Sequence, residues 1–194
     1  MLRRAVLFSL LVVTPALACS RRQPPEEPTP VLPDTAGEGQ RALDQARQDS
    51  IRRAQEDERM RMEGAAAEAA RVRGMLEEMI FFDYDDSDLR VDAQETLARK
   101  VAVLRANPDV TLRITGHADE RGSIEYNLAL GLRRANAVKD YLTGFGLSGA
   151  RFTTETMGED RPLDPGSGES AWARNRRAEF TVTAGGEQLV APGN

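Results

Sequence analysis

The chain has 194 residues, of which 40% are hydrophobic, 29% charged and 5% aromatic. This composition is too polar for a protein with several membrane spans and too apolar for a wholly disordered chain. The formal net charge of −5 argues against a nucleic acid as the partner. One Cys and one His exclude an internal disulfide and a zinc site built from several Cys and His ligands.

The first 18 residues have the pattern of a secretory signal peptide. A basic start is followed by a nine-residue apolar run over residues 5–13, which is too short for a membrane-spanning helix of about 20 residues. The run leads to Cys19, which resembles the lipidated first residue of mature bacterial lipoproteins. Residues 16–18 also fit an ordinary A-x-A cleavage site, which would leave a soluble protein with a free Cys19. We favour lipidation because the only Cys of the chain stands where lipidation requires one.

A spacer of two kinds follows. Residues 19–36 hold five of the ten prolines, which predicts an extended linker. Residues 37–77 lack Pro and are rich in Ala, Arg, Glu and Gln, which predicts a charged helical spacer. Its apolar positions at three- and four-residue spacing are mostly Ala, so we favour a solvated single helix over a dimerising coiled coil. Together the two segments would extend on the order of 100 Å.

Residues 78–185 alternate between strand and helix patterns. Strands are predicted over 80–82, 110–114, 152–156 and 178–183, with two amphipathic helices between the first three strands and a short helical turn over 170–174. This order predicts an α/β fold, a two-layer sandwich in which helices cover one face of a four-stranded mixed sheet. Residues 186–194 are predicted to form a flexible tail.

Charged residues gather in the loops that follow two predicted strands. The acidic run 83–88 and the loop 116–123 each follow a strand end, and Arg133-Arg134 lies in the next helix. Asp binds an ammonium group and Arg binds a carboxylate, so such a site suits the zwitterion of an amino acid. Neither a second imidazole for a metal site nor a nucleophile elbow for a catalytic triad is present, so we expect no cofactor and no catalysis.

Three ordered motifs and a closing motif carry a specific resemblance. Residues 115–123 (TGHADERGS), 125–128 (EYNL), 130–138 (LGLRRANAV) and 175–178 (NRRA) resemble the OmpA-like peptidoglycan-binding domain family. The resemblance implies the sandwich fold and binding of the diamino acid of the peptidoglycan stem peptide, commonly diaminopimelate. It implies that Asp119 holds the ammonium group, that Arg134 holds the carboxylate and that Asp85 lines the same pocket. It further implies a structural role at the surface for His117, and loop-supporting roles for Asn127, Asn175 and Arg176.

The ADERG and RRANAV segments are most similar to lipid-anchored family members that act with the Tol proteins. This implies anchoring in the outer membrane through Cys19, a periplasmic domain, and a role in envelope integrity and in outer-membrane constriction at cell division. It also implies binding to TolB, exclusive with wall binding, through a surface that contains Glu120, Arg121, Glu125 and Tyr126. Three alternatives are a wall-anchoring lipoprotein without Tol partners, a flagellar-stator-like subunit and an enzyme. The stator needs a membrane-spanning helix that the nine-residue run does not supply.

Mass spectrometry of the mature N-terminus tests the lipidation prediction. We expect a diacyl or triacyl group on Cys19 after export, since the cleavage site and the thiol are both present. An unmodified Cys19 at the mature N-terminus would contradict the prediction and favour a soluble product.

Overall fold

The computed structural model describes residues 35–193, so the predicted signal peptide, Cys19 and the linker up to residue 34 lie outside the described residues. The described residues divide into two units, residues 35–48 and residues 49–193. The described part of the first unit is the start of a long helix, and the second unit contains the rest of this helix and the α/β domain. Within residues 35–193, none of the helices combines the length and apolar character that crossing a membrane requires.

The elements follow the predicted order. They are α1 (Thr35–Glu77), β1 (Ile80–Phe81), α2 (Val91–Ala106), β2 (Thr111–His117), α3 (Ile124–Gly144), a 3-10 turn (Gly149–Arg151), β3 (Phe152–Gly158), α4 (Glu169–Asn175) and β4 (Arg177–Ala184). Helix α3 begins after Ser123, whose hydroxyl oxygen accepts a hydrogen bond from the backbone N–H of Tyr126 at 3.2 Å. This N-cap bond satisfies one of the N–H groups that a helix leaves unpaired at its start.

The four strands form one mixed sheet in the order β1-β4-β2-β3. Strand β4 is antiparallel to both β1 and β2, whereas β2 and β3 are parallel. Strands β1 and β2 therefore run in the same direction, so the loops that follow them leave the sheet at one edge. The segment that leads into β4 arrives at this same edge. The predicted fold class, an α/β sandwich on a mixed sheet, is confirmed.

The core lies between the sheet and the helices. Leu112 and Ile114 of β2 and Phe180 of β4 point into it, as the two-residue period of a half-buried strand requires. Helices α2 and α3 contribute Leu97, Leu104, Val138 and Leu142, all of them fully buried. The opposite face of β2 carries polar residues, so the alternating pattern of the sequence corresponds to the two faces of the sheet.

Strand β2 and helix α3 meet with almost no space between their backbones. A Cβ atom on Gly116 would lie 1.8 Å from the carbonyl oxygen of Gly131, and a Cβ on Gly131 would lie 2.8 Å from the carbonyl oxygen of Gly116. Real Cβ contacts are never so short, so both positions require Gly. The contact fixes the helix against the end of the strand, directly beside the loop that follows β2.

The structure differs from the expected boundaries at both ends of the domain. The domain was expected to begin at residue 78, but Val72 and Leu76 of helix α1 are fully buried in the core. A flexible tail was expected after residue 185, but Leu189 is also a core residue. The side-chain amide of Asn107 exchanges two hydrogen bonds of 2.8 Å with the backbone of Val190. Both ends are therefore held by side-chain contacts with the domain.

A buried lysine holds the end of helix α1. The Lys100 Nζ donates hydrogen bonds to the carbonyl oxygens of Met75 and Leu76 at 2.8 and 2.9 Å, and it lies 4.2 Å from the ring centre of Phe180. These carbonyl groups belong to the last turn of α1. Carbonyl oxygens there have no N–H partner within the helix, and a cation near them is favourable. Burial nevertheless lowers the pKa of Lys100 to about 7.

This pKa predicts a pH dependence of stability. Because the folded chain releases the Lys100 proton at a lower pH than the unfolded chain, the unfolded state binds more protons between about pH 7 and 10. The free energy of unfolding should rise with pH over this interval, by up to about 1.4 kcal/mol per pH unit from this group.

Denaturant melts from pH 7 to 10 measure the effect. Lys100→Met should flatten the rise in unfolding free energy, whereas Lys139→Met, at the chain's other lysine on helix α3, should keep it. Equal slopes in the wild-type chain and the Lys100 variant would contradict the assignment.

Candidate functional site

The loops at the shared edge of the sheet enclose an open cleft of about 430 Å³. Three elements form its walls: the loop after β1, the loop after β2, and the first three turns of α3. The cleft is lined by Tyr84, Asp85, Ala118, Asp119, Arg121, Gly122, Tyr126, Asn127, Leu130 and Arg134. Four of the six residues predicted to bind or support the ligand (Asp85, Asp119, Asn127 and Arg134) therefore line one cleft.

Asp119 is 5% exposed and is held by arginines. Its Oδ1 accepts hydrogen bonds from the backbone N–H and Nε of Arg121 at 3.1 and 3.0 Å. Its Oδ2 accepts from Arg121 Nη2 at 2.7 Å and from Arg176 Nη1 at 3.3 Å. Burial opposes ionisation of the carboxyl, but the hydrogen bonds from the two arginines outweigh it and hold the pKa of Asp119 below its ordinary value. Asp119 is therefore an anion at neutral pH.

Arg134 is a fully buried guanidinium that holds three backbone carbonyl groups. Its Nε donates to the oxygen of Asp86 at 2.8 Å, Nη2 to that of Asp83 at 3.0 Å, and Nη1 to that of His117 at 2.7 Å. These bonds connect the loop after β1 and the last residue of β2 to helix α3. Burial lowers the pKa of Arg134 to about 10, so the group stays charged at neutral pH.

Arg134 makes no direct ion pair among the described residues, although the charges of Asp119, Asp86 and Asp85 favour its ionised form. Within residues 35–193, its three acceptors are neutral carbonyl groups, and two of its five N–H groups are left over. Burial of this charge costs free energy, which Asp119, Asp86 and Asp85 offset in part and a ligand carboxylate in the cleft would offset further.

Two other predicted residues lie behind the cleft instead of in its lining. Arg176 donates to the backbone oxygen of Phe82 at 3.1 Å and to Glu169 Oε1 at 2.6 Å, in addition to Asp119. The Asn175 side chain exchanges hydrogen bonds with the backbone of Asp164 at 2.8 and 2.9 Å. Arg176 thus orients the Asp119 carboxylate, and Asn175 fixes the loop between β3 and α4.

Asn127 and Asp85 shape the cleft from the side of α3 and from the loop after β1. The Asn127 amide donates to the backbone oxygen of Asp119 at 3.1 Å and to the carboxylate of Glu159. Asp85 accepts a hydrogen bond from the hydroxyl of Tyr126 and has a backbone φ of 54°. Asp and Asn are the side chains that tolerate this left-handed conformation best, which accounts for an Asp at this position.

The residues of the predicted partner surface lie on the rim of the same cleft. Arg121 and Tyr126 line it, and Glu120 and Glu125 are exposed beside it. The Arg121 guanidinium contacts two rings, 3.9 Å from the centre of Tyr84 and 4.2 Å from that of Trp172. Trp172 also donates its indole N–H to Glu120 at 3.0 Å.

The resemblance implied a surface position for His117, but this residue is buried at the end of β2, where it is 2% exposed. Burial lowers its pKa to about 4, so the ring is neutral at pH 7. Neither ring nitrogen has a hydrogen-bond partner among the described residues. In the part of the chain that the structure describes, no group of three His, Cys, Asp or Glu side chains converges as metal ligands would.

The sequence did not identify Tyr84 and Glu169 as part of the site. Tyr84 is the one aromatic residue in the acidic run 83–88, and an exposed aromatic ring there was an available signal. Glu169 pairs with both Arg121 and Arg176, but it lies 48 residues after Arg121 in the chain. No local pattern connects it with the cleft.

Comparison with known proteins shows what this chain is similar to. Residues 81–176 match the OmpA family. A peptidoglycan-associated lipoprotein of Mesorhizobium japonicum is 46% identical over 107 residues, which are 55% of this chain and 64% of the relative. One of Pseudomonas putida is 40% identical over 119 residues, which are 61% of this chain and 70% of the relative.

A solved structure is also similar to this chain. The crystal structure of the peptidoglycan-associated lipoprotein from Burkholderia pseudomallei has 35% sequence identity and a TM-score of 0.53, covering 54% of this chain and 89% of that one. The match spans 64% of the length of the Mesorhizobium relative, so this chain covers less than two thirds of that protein. The chain belongs to the OmpA family.

Proposed function

We propose that this protein is an outer-membrane lipoprotein that binds peptidoglycan noncovalently and connects the outer membrane to the cell wall. The observation that carries the proposal is a single cleft that brings together a buried carboxylate, Asp119, and a buried guanidinium that makes no direct ion pair among the described residues, Arg134. The names of the relatives support it, since they are peptidoglycan-associated lipoproteins. Lipidation of Cys19 would supply the membrane anchor.

The ligand that fits this cleft carries an ammonium group and a carboxylate on one carbon. The ammonium would bind Asp119, and the carboxylate would use the two remaining N–H groups of Arg134. When the diamino acid of the peptidoglycan stem peptide is diaminopimelate, its side chain ends in a carbon that carries both an ammonium group and a carboxylate. Asp85 and Tyr126 would contact the rest of the stem peptide from the rim. The function is binding, without catalysis.

The supporting residues make the site rigid. Arg176 and Asn127 hold Asp119 through its carboxylate and its backbone oxygen, and Arg134 holds the loop after β1 and the end of β2 through backbone carbonyl groups. A site fixed before the ligand arrives loses less conformational entropy on binding.

We further propose that the protein acts in the Tol–Pal system, in which TolB would bind the surface formed by Glu120, Arg121, Glu125 and Tyr126. Because Arg121 and Tyr126 also line the cleft, TolB and the stem peptide would compete for the same surface. Such competition would let the protein exchange wall binding for TolB binding, and so support constriction of the outer membrane at division. The alternative is a wall anchor without Tol partners.

Cosedimentation with isolated peptidoglycan sacculi tests the site. We expect Asp119→Asn to weaken binding about thirtyfold or more, because a ligand ammonium then faces a neutral amide that keeps the shape of the carboxylate. Asp109→Asn is the matched control, since Asp109 is exposed and lies outside this cleft.

Arg134 has a structural role as well, so its variant needs a measurement of folding. Arg134→Met should lose binding and also melt at a lower temperature, because three backbone carbonyl groups lose their donor. The Asp119 variant therefore decides the proposal: full retention of sacculus binding by a folded Asp119→Asn chain would refute it.

Competition with TolB tests the second part. Purified TolB from the same cell should release the protein from sacculi in proportion to the TolB concentration. Simultaneous binding of TolB and peptidoglycan would refute a shared surface and favour a wall anchor without Tol partners.

A further inference from the structure

We propose that the Arg121 side chain is a resident counterion that closes the ammonium site on Asp119 and must move toward Glu169 before a ligand binds. The inference rests on the proposed function, since it concerns access to the same cleft. It adds a step before ligand binding, because the Arg121 side chain already occupies the ammonium site on Asp119.

The hydrogen bonds of Asp119 show this occupation. A carboxylate offers about four acceptor positions on its two oxygens. All four are used, by three N–H groups of Arg121 and one of Arg176. A ligand ammonium can therefore reach Asp119 only after a donor has left.

The Arg121 side chain is the donor that is free to leave. Arg176 is 5% exposed and is also bound to the backbone of Phe82, and the backbone N–H of Arg121 is fixed by the turn. The side chain of Arg121, by contrast, is 29% exposed. Its movement would free one acceptor position on each carboxylate oxygen, which is room for an ammonium group.

A second carboxylate is ready to accept the displaced side chain. Arg121 Nη2 lies 3.6 Å from Glu169 Oε2, just outside hydrogen-bond distance. The Tyr84 and Trp172 rings both contact the guanidinium and would keep contact with it during the shift. The cation would thus exchange one carboxylate for another without losing its aromatic contacts.

This arrangement gives the cleft a means of selection. A ligand with an ammonium group alone must displace Arg121 and gains only the replacement of one ion pair by another. A ligand that also carries a carboxylate gains the contact with Arg134 in addition. The competition by Arg121 therefore favours zwitterionic groups over simple amines.

Binding of meso-diaminopimelic acid and of sacculi to Arg121→Met tests the proposal. Met keeps much of the side-chain length but removes the competing charge, so we expect affinity for both probes to rise about fivefold. Trp172, the only Trp of the chain, supplies a direct signal. Its fluorescence should change on saturation of the wild-type chain with diaminopimelic acid and stay nearly constant in the Arg121 variant.

Glu169→Gln provides the second test. Gln can still accept the hydrogen bond from Arg176 but no longer attracts the displaced cation, so affinity should fall about fivefold in the wild-type background. In the Arg121→Met background the same substitution should have no effect. An equal loss in both backgrounds would overturn the transfer to Glu169.

The binding experiments distinguish a failure of this inference from a failure of the proposed function. A wild-type chain that does not bind sacculi refutes the function itself. A wild-type chain that binds, with a folded Arg121→Met variant that binds equally or more weakly, overturns only the role of Arg121 as a competing counterion.

Discussion

No side chain larger than a hydrogen atom fits between strand β2 and helix α3 where Gly116 faces Gly131, and the geometry of the cleft depends on this contact. Arg134 follows Gly131 by three residues, one turn later on the helix. The close approach therefore brings its guanidinium within reach of the loop after β1 and of the last residue of β2. A wider separation would leave this loop and the end of β2 without the donor that joins them, and Asp119 would lose its fixed position relative to Arg134.

The fold could be predicted from the sequence because its signals are local. The alternation of apolar residues around Leu112 and Ile114, and the four-residue spacing along α3, depend only on neighbours in the chain. The cleft-lining positions of Asp85, Asp119, Asn127 and Arg134 came from motif resemblance together with the rule that sites form beyond strand ends. Both kinds of signal can be read from the sequence without knowledge of contacts between distant residues.

The remaining features depend on contacts that no local pattern encodes. Arg176 reaches the backbone of Phe82 across 94 residues, and Asn107 reaches Val190 across 83. The burial of Leu189 and Leu76 is likewise determined by which surfaces the finished domain leaves open. For the same reason the sequence showed that Asp119 and Arg134 are charged. It did not show that the Arg121 side chain is already hydrogen-bonded to Asp119.

The buried end of helix α1 has a mechanical consequence. Tension carried along this helix would enter the domain at Val72, Leu76 and the two carbonyl groups held by Lys100, and not through a surface loop. Detaching the helix would require these apolar contacts and hydrogen bonds to break together, so the load is shared before any single contact yields. In a chain pulled between a membrane and a wall, the connection to the helix would then be part of the folded core, and its strength would follow the stability of the domain itself.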